Sequence, residues 1–133
     1  MKVRWTTGSV RFRITPTELR DLTIGRPVST TLAVLGGAWT ATLSPSADRT
    51  GIALSGGDLT LSLTDVDVRA LSEPEREGVY FTVDEPWLKY FVEKDFPCVH
   101  PKPEEAKDLS TETFAPPSGF AERHQVDRSP VLI

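Results

Sequence analysis

Apolar and polar residues alternate along several short stretches of the chain, and the alternation predicts strands. The clearest case is 9–15, where Val10, Phe12 and Ile14 alternate with Arg11 and Arg13. A period of two is typical of a strand with one face buried. Similar stretches occur in pairs separated by short turns, three of which contain glycine. They predict four hairpins: 2–6 with 9–15, 28–35 with 38–43, 51–55 with 58–64, and 79–83 with 87–93.

Two short helices interrupt the strands. Thr15, Pro16 and Glu18 form a capping box with proline at its preferred first position, which predicts a helix ending near Gly25. Thr64 is placed to cap a second helix over 65–71.

The two halves of the chain resemble each other at a shift of 49 residues. Aligning 8–22 with 57–71 gives four identities: Gly8/Gly57, Thr15/Thr64, Arg20/Arg69 and Leu22/Leu71. Trp39 and Trp87 fall at nearly the same spacing. Each half then has the order strand, strand, helix, strand, strand. The alternative is that any capped strand–helix unit looks alike, because the physics of caps is shared.

We therefore expect a mainly β, β-rich α+β fold. It has about eight antiparallel strands in two ββαββ pseudo-repeats, forming a barrel or a sandwich with two short helices. The expected core consists of Trp5, Phe12, Ile14, Leu19, Leu32, Trp39, Leu61, Leu63, Phe81, Tyr90 and Val92.

Composition and charge narrow the functional classes. The 133 residues carry a formal net charge of −4, and this acidity argues against nucleic-acid binding. There is no apolar run long enough for a membrane span and no apolar signal region, so no membrane association is expected. The single cysteine, Cys98, favours a reducing compartment, and we expect a cytoplasmic protein.

The character of the chain changes after Phe96. We expect a single β-rich domain over 1–96 and a proline-rich, irregular C-terminal extension over 97–133. The extension either wraps the core or stays flexible.

Three segments together resemble a known group of proteins. They are the strand containing Arg11-Phe12-Arg13-Ile14-Thr15, the run Val92-Glu93-Lys94-Asp95-Phe96-Pro97-Cys98, and the segment Thr113-Phe114-Ala115-Pro116-Pro117. This resembles a family of short, uncharacterised bacterial proteins. The resemblance implies a small β-rich bacterial protein with no known activity, and it supplies no catalytic residues.

A basic face is predicted on the first hairpin. A tight turn at Gly8 places Arg4 opposite Arg11 and Lys2 opposite Arg13, so four cations share one side of the sheet. Like charges opposite each other are unfavourable by several tenths of a kcal/mol, so carboxylates or a bound anion should offset them.

Glu93 and Asp95 are the natural partners for these cations. We expect at least one of them to contact Arg4, Arg11 or Arg13. The alternative is that Lys2, Arg4, Arg11 and Arg13 bind a phosphate group, for which arginine offers paired donors. In that case Glu93 and Asp95 serve as a general acid–base pair or as ligands of a hard cation.

Cys98 and His100 are candidate metal ligands, because a thiolate and an imidazole two residues apart suit zinc. A structural zinc site needs four ligands, so Glu104, Glu105, Asp108 or His124 would have to complete it. A buried cysteine beside a loop histidine explains the same residues without a metal.

Two function hypotheses follow. The first is a non-enzymatic binding or interaction module that meets a protein partner through an edge strand or the C-terminal extension. The second is a binder or hydrolase of a phosphorylated small molecule that uses the basic face. The sequence favours the non-enzymatic one, predicts no cofactor, and leaves the oligomeric state open.

Overall fold

The structure, a computed structural model, describes residues 1–97, 112–120 and 123. It contains eight strands and two helices in these residues, in the chain order expected from the sequence. Their bounds are β1 Lys2–Thr6, β2 Ser9–Ile14, α1 Pro16–Thr23, β3 Val28–Val34, β4 Gly37–Ser44, β5 Gly51–Ser55, β6 Asp58–Ser62, α2 Asp65–Leu71, β7 Gly78–Asp84 and β8 Trp87–Lys94.

The strands form two open four-stranded sheets arranged as a sandwich. The first sheet has the order β1-β2-β8-β7, and the second has the order β3-β4-β6-β5. All four hairpins are antiparallel, but β2 pairs with β8, and β4 with β6, in parallel. The expectation of antiparallel strands throughout was therefore wrong at the centre of each sheet. Alternation and short turns identify the hairpins. They carry no information on whether the strands of two separate hairpins pair in parallel or antiparallel.

Both sheets follow the same pattern at a common shift. Ser9 lies opposite Lys89 in one parallel pair, and Asp58 lies opposite Thr40 in the other. A shift of 49 residues maps Ser9 to Asp58 and Thr40 to Lys89. Trp39 thus corresponds to Leu88 and not to Trp87, whose side chain is exposed.

The two helices close one end of the sandwich, which we call the helix end. Both begin with a complete capping box, in which Thr15 pairs with Glu18 and Thr64 with Asp67. The caps satisfy amide groups that have no partner inside a short helix. The helices contact each other, and they bury Leu22, Val68 and Leu71 against the strands.

The core lies between the sheets near the helix end. Phe12, Ile14, Leu43, Leu61 and Val92 are fully buried. Leu63 and Tyr90 are buried as well, and Leu19, Trp39 and Phe81 pack against this cluster while partly exposed.

Residues 112–120 cover part of the helix end. The Phe114 amide donates to the Asp95 carbonyl over 2.8 Å, and Phe96 packs against the rings of Phe114 and Phe120. Thr17 of α1 donates to the Glu112 carboxylate over 2.7 Å. This part of the predicted extension therefore packs on the sandwich.

Trp5 and Leu32 are not core residues, contrary to the sequence prediction. Their side chains are 71% and 60% exposed. Both lie at inward-facing positions of edge strands, but at the end of the sandwich opposite the helices. No described residue covers them there. Alternation identified the correct face of each strand without showing how far along it the core extends.

Candidate binding cleft and basic face

The inward faces of the strands become exposed away from the helix end. On β3, Val28 is buried at one end of the strand, whereas Leu32 and Val34 are exposed at the other. On β5, Ile52 is partly buried and Leu54 is 66% exposed. The apolar pattern thus continues along the strands after the core has ended.

This exposed half forms an apolar cleft between the two sheets, with a volume of about 1020 Å³. Each edge strand contributes one large exposed apolar side chain: Trp5 from β1, Leu32 from β3, Leu54 from β5 and Val83 from β7. The lining is apolar apart from Thr6, Ser9 and Glu85. Volume and lining both suit a small-molecule site, which is typically apolar with a few polar groups.

Ten of the fifteen lining residues form five corresponding pairs from the two halves. At the 49-residue shift these are Val3/Ile52, Trp5/Leu54, Val10/Leu59 and Trp39/Leu88, and at a shift of 51 the pair is Leu32/Val83. Both sheets therefore contribute apolar lining, whereas the polar lining residues Thr6, Ser9 and Glu85 all belong to the hairpins of the first sheet.

The four hairpin turns at this end, which we call the open end, form the mouth of the cleft. They are 6–9, 34–37, 55–58 and 84–87, and they contain Asp58, Asp84 and Glu85 but no lysine or arginine. Leu35 and Trp87 are exposed at two of these turns. Only Glu85 among these carboxylates lines the cleft, because Asp58 and Asp84 neighbour the inward-facing Leu59 and Val83 and therefore take outward positions.

The basic face lies on the outer side of the first sheet. Arg4 pairs in register with Arg11, and Lys2 with Arg13, as the sequence predicts. Arg11 forms an ion pair with Glu93 at 3.7 Å, and Arg13 forms one with Asp95 at 2.9 Å. The predicted contact between these carboxylates and the arginines is confirmed.

Asp95 binds two cations of the first hairpin. Its carboxylate is buried and lies 3.1 Å from the Lys2 ammonium, in addition to the Arg13 contact. Because the Asp95 amide also donates to the Ile14 carbonyl over 2.9 Å, this residue fixes the end of β8 against β2. The negative charge of Asp95 therefore stabilises the packing of β8 against β2.

Glu93 belongs to a second cluster on the same face. It accepts a hydrogen bond of 2.7 Å from the Tyr80 hydroxyl. Burial, followed by the hydrogen bond to Glu93, raises the pKa of Tyr80 well above its ordinary value. The Lys89 ammonium lies 5.5 Å from the Tyr80 ring centre and 5.2 Å from that of Phe91.

A small hollow of about 190 Å³ lies beside this cluster. It is lined by Arg4, Thr6, Ser9, Arg11 and Phe91. Two guanidinium groups next to two hydroxyl groups can bind an oxyanion. The carboxylates proposed as an acid–base pair are instead engaged by cations.

Lys94, between the two carboxylates, points into the protein. Its ammonium donates to the Glu73 carbonyl over 2.7 Å and lies 5.5 Å from the Phe114 ring centre. Burial lowers its pKa. Its inward position follows from alternation, because Tyr90 and Val92 are buried on the same strand.

Cys98 and His100 lie outside the described residues, as do Glu104, Glu105, Asp108 and His124. Within the described part of the chain, no group of three or more metal-binding side chains comes together. The zinc hypothesis stays a prediction.

The cleft is the feature that sequence reasoning missed. The available signal was the apolar residues beside the turns: Trp5, Leu32, Val34, Leu35, Leu54, Val83 and Trp87. Residues next to turns are usually solvated, so a cluster of large apolar residues there indicates a surface that contacts a ligand or a partner protein.

No helix in the described residues is both long and apolar enough to cross a membrane. Residues 1–113 match the Family of unknown function (DUF7009), and the chain belongs to that family. No curated protein matches the chain.

Proposed function

We propose that this protein is a non-enzymatic binding module whose binding site is the cleft at the open end. The observation that carries the proposal is the continuation of the apolar inward faces beyond the core. An exposed cleft lined mainly by apolar side chains, with a few polar groups at its edge, is typical of a ligand site. Filling the cleft would remove Trp5, Leu32, Leu54 and Val83 from water.

The lining supports binding more than catalysis. Glu85 is the only ionisable residue that lines the cleft in the described part of the chain, and it is exposed at the mouth. General acid–base or nucleophilic chemistry needs titratable groups in mutual contact beside the substrate. The cleft instead offers a large apolar surface with Thr6 and Ser9 hydroxyls at its edge.

A fluorescence titration of the full chain with Nile red, a neutral apolar dye, tests this proposal. We expect saturable binding of one dye per chain with a blue-shifted emission. Leu54→Glu should weaken binding at least tenfold, because it places a charge among the lining residues. The matched control is Val66→Glu, which alters an equally exposed apolar residue on α2.

The proposal fails if Nile red binding does not saturate, or if Val66→Glu weakens it as much as Leu54→Glu. Circular dichroism of both variants, compared with the unmodified chain, checks that the fold is retained. Leu54 and Val66 are 66% and 69% exposed, so neither substitution introduces a charge into the core.

A second candidate function is the binding of a phosphorylated small molecule, and the hollow between Arg4 and Arg11 supports it. Phosphate, pyrophosphate, tripolyphosphate and nucleotides at fixed ionic strength should then raise the melting temperature. Arg4→Ala should abolish the shift, whereas Arg20→Ala, at an exposed position of α1, should not. A ligand at 100 times its Kd stabilises the folded state by about 2.7 kcal/mol. Unchanged melting temperatures across the panel would exclude this candidate.

A protein partner remains part of the proposal through the routes suggested by the sequence. β1, β3, β5 and β7 are the outer strands of their sheets, and an outer strand can accept a further strand from another chain. The extension is the other route, although its described residues 112–120 are used for packing at the helix end.

We also infer that the two halves are an internal repeat, supported by the common register of the parallel pairs and by the paired cleft residues. Residues 1–96 as one domain, a bacterial origin and a cytoplasmic location belong to the same proposal. The support for the location is the single cysteine.

A further inference from the structure

We propose that the ligand of the cleft is an anionic amphiphile, with an apolar chain that fills the cleft and a phosphate monoester head group that binds at the basic face. This inference rests on the proposed function, because it names the ligand class of the same site. It joins the cleft to the hollow beside Arg4 and Arg11, which are neighbouring concavities on the two sides of the first hairpin.

The cleft and the hollow meet at the tip of the first hairpin. Thr6 and Ser9 line both concavities, and no other described residue does so. The two residues are opposite each other in the register of β1 and β2, directly before the turn at Thr7 and Gly8. A chain-like molecule that lies in the cleft can therefore bend around this tip, so that its end reaches the hollow.

The register of the first sheet places three cations around the hollow. Arg4 and Arg11 lie opposite each other and line it. Lys89 of β8 lies opposite Ser9, and its ammonium is 5.2 Å from the centre of the Phe91 ring, which also lines the hollow. Three positive charges thus border a concavity of about 190 Å³.

These three cations are only partly neutralised. Glu93 forms an ion pair with Arg11 at 3.7 Å. Among the described residues, no carboxylate forms an ion pair with Arg4 or Lys89. Three cations and one carboxylate leave two positive charges, which suits a phosphate monoester with a charge of about −1.5 to −2 at neutral pH. Guanidinium groups also bind phosphate oxygens through paired donors.

The other carboxylates of the open end lie away from the first hairpin. Asp84 and Glu85 belong to the hairpin of β7 and β8, and the order β1-β2-β8-β7 puts its turn at the other edge of the sheet. Because neighbouring strands are about 4.8 Å apart, the two turns are separated by roughly 10 Å. Asp58 lies on the second sheet. An anionic head group at the first hairpin therefore keeps its distance from these charges.

The second half of the chain shows that the scaffold itself does not require the three cations. At the 49-residue shift, Arg4, Arg11 and Lys89 correspond to small neutral residues, which are Ala53, Thr60 and Thr40. The apolar lining, in contrast, is paired between the halves, as at Val10 and Leu59. A cleft that is apolar on both sheets, with cations beside one hairpin only, suits a ligand with a single charged end.

Displacement of Nile red from the full chain by three twelve-carbon probes tests the inference. The probes are dodecyl phosphate, dodecanoate and dodecanol, each below its micelle concentration, at one ionic strength and at neutral pH. We expect dodecyl phosphate to compete at least tenfold better than dodecanol, with dodecanoate between them. Arg4→Ala should reduce the ratio of dodecyl phosphate to dodecanol to less than about threefold, because it removes a cation of the hollow.

The matched control is Arg26→Ala, which removes an exposed cation at the helix end and should leave the ratio unchanged. Arg4→Ala should retain the Nile red affinity of the unmodified chain, because the dye is neutral, and this shows that the variant is folded. Equal competition by all three probes, or a preference for dodecyl phosphate that persists in Arg4→Ala, would overturn the inference while leaving the proposed function intact. Failure of Nile red itself to bind would overturn both.

Inorganic phosphate distinguishes one joined site from two independent sites. At fixed ionic strength it should leave Nile red bound but weaken the competition by dodecyl phosphate, because both phosphate groups need the hollow. If inorganic phosphate raises the melting temperature without weakening that competition, the two sites are independent and the inference is wrong.

Light scattering over a range of protein concentrations identifies another occupant. If a second copy of the chain covers the mouth, the mass doubles and the dye capacity falls below one per chain as concentration rises. That result would overturn the inference of an amphiphile. A monomer with constant dye capacity supports it.

Discussion

The two ends of the sandwich are built from the same strands, yet they differ in what covers them. At the helix end, α1, α2 and residues 112–120 enclose the inward faces, and side chains such as Phe12 and Leu61 have no exposed surface. At the open end, the same inward faces carry Trp5, Leu32 and Leu54 with more than half of their surface in water. The strands therefore make a complete core at one end and an apolar cleft at the other.

This difference separates two uses of an apolar residue. At the helix end, burial stabilises the fold by roughly 25 cal/mol for each Å² of apolar surface removed from water. At the open end that gain has not yet been realised, and it becomes available only when a ligand or partner covers the cleft. We expect substitutions to affect stability at the first end and binding at the second.

The largest expected effect is on the core. Phe12→Ala should lower the free energy of unfolding by about 3–5 kcal/mol, because it removes a fully buried ring and leaves a cavity. Leu54→Ala, at the open end, should lower it by less than about 1 kcal/mol. Urea denaturation of both variants measures the contrast. Similar losses would mean that the open end is covered in solution.

Removing the Asp95 carboxylate at the end of β8 should have the next largest effect on stability. Asp95→Asn should cost about 2 kcal/mol, because it leaves Lys2 and Arg13 without a buried carboxylate. The control is Asp84→Asn at the mouth, which is exposed and should change stability by less than about 0.5 kcal/mol. Urea denaturation again provides the readout, and equal effects would contradict the structural role of Asp95.

The helix caps should have intermediate effects that are similar in the two halves. Thr15→Ala and Thr64→Ala should each cost about 1 kcal/mol, since each hydroxyl accepts the amide of the third helical residue. Thr7→Ala, in an exposed turn of the open end, serves as the control. Thermal unfolding followed by circular dichroism measures all three. A loss at Thr7 as large as at the caps would remove the contrast between the ends.

The smallest effect concerns pH. Because the pKa of Tyr80 is raised in the folded protein, its contribution to stability is fully present below its ordinary pKa of 10 and is lost as the pH rises further. Tyr80→Phe should therefore lose less stability than the unmodified chain between pH 10 and pH 11. Urea denaturation across this range measures the difference. A parallel pH dependence of both proteins would show that folding does not raise the pKa of Tyr80.

Local patterns accounted for most of the secondary structure. The alternation around Phe12, the capping boxes and the turns at Gly8 and Gly36 each depend on neighbouring residues, so the sequence predicts them directly. The ion pairs of Glu93 and Asp95 were predictable because they join charges on adjacent strands. Two features depend on distant parts of the chain, and no local pattern encodes them. They are the parallel pairing of strands from different hairpins and the exposure of Trp5 and Leu32 beyond the core.

The parallel pairing of β2 with β8 affects the order in which the molecule can assemble. The second sheet joins strands that are close in sequence, with Thr42 opposite Thr60, whereas the first joins Arg11 to Phe91. Closing the longer loop costs about 1 kcal/mol more in chain entropy. During synthesis the first hairpin must wait until β8 has been made, while the second sheet can already form. The first hairpin, with its four cations and Trp5, is thus the part of the chain that stays unprotected longest as the protein folds.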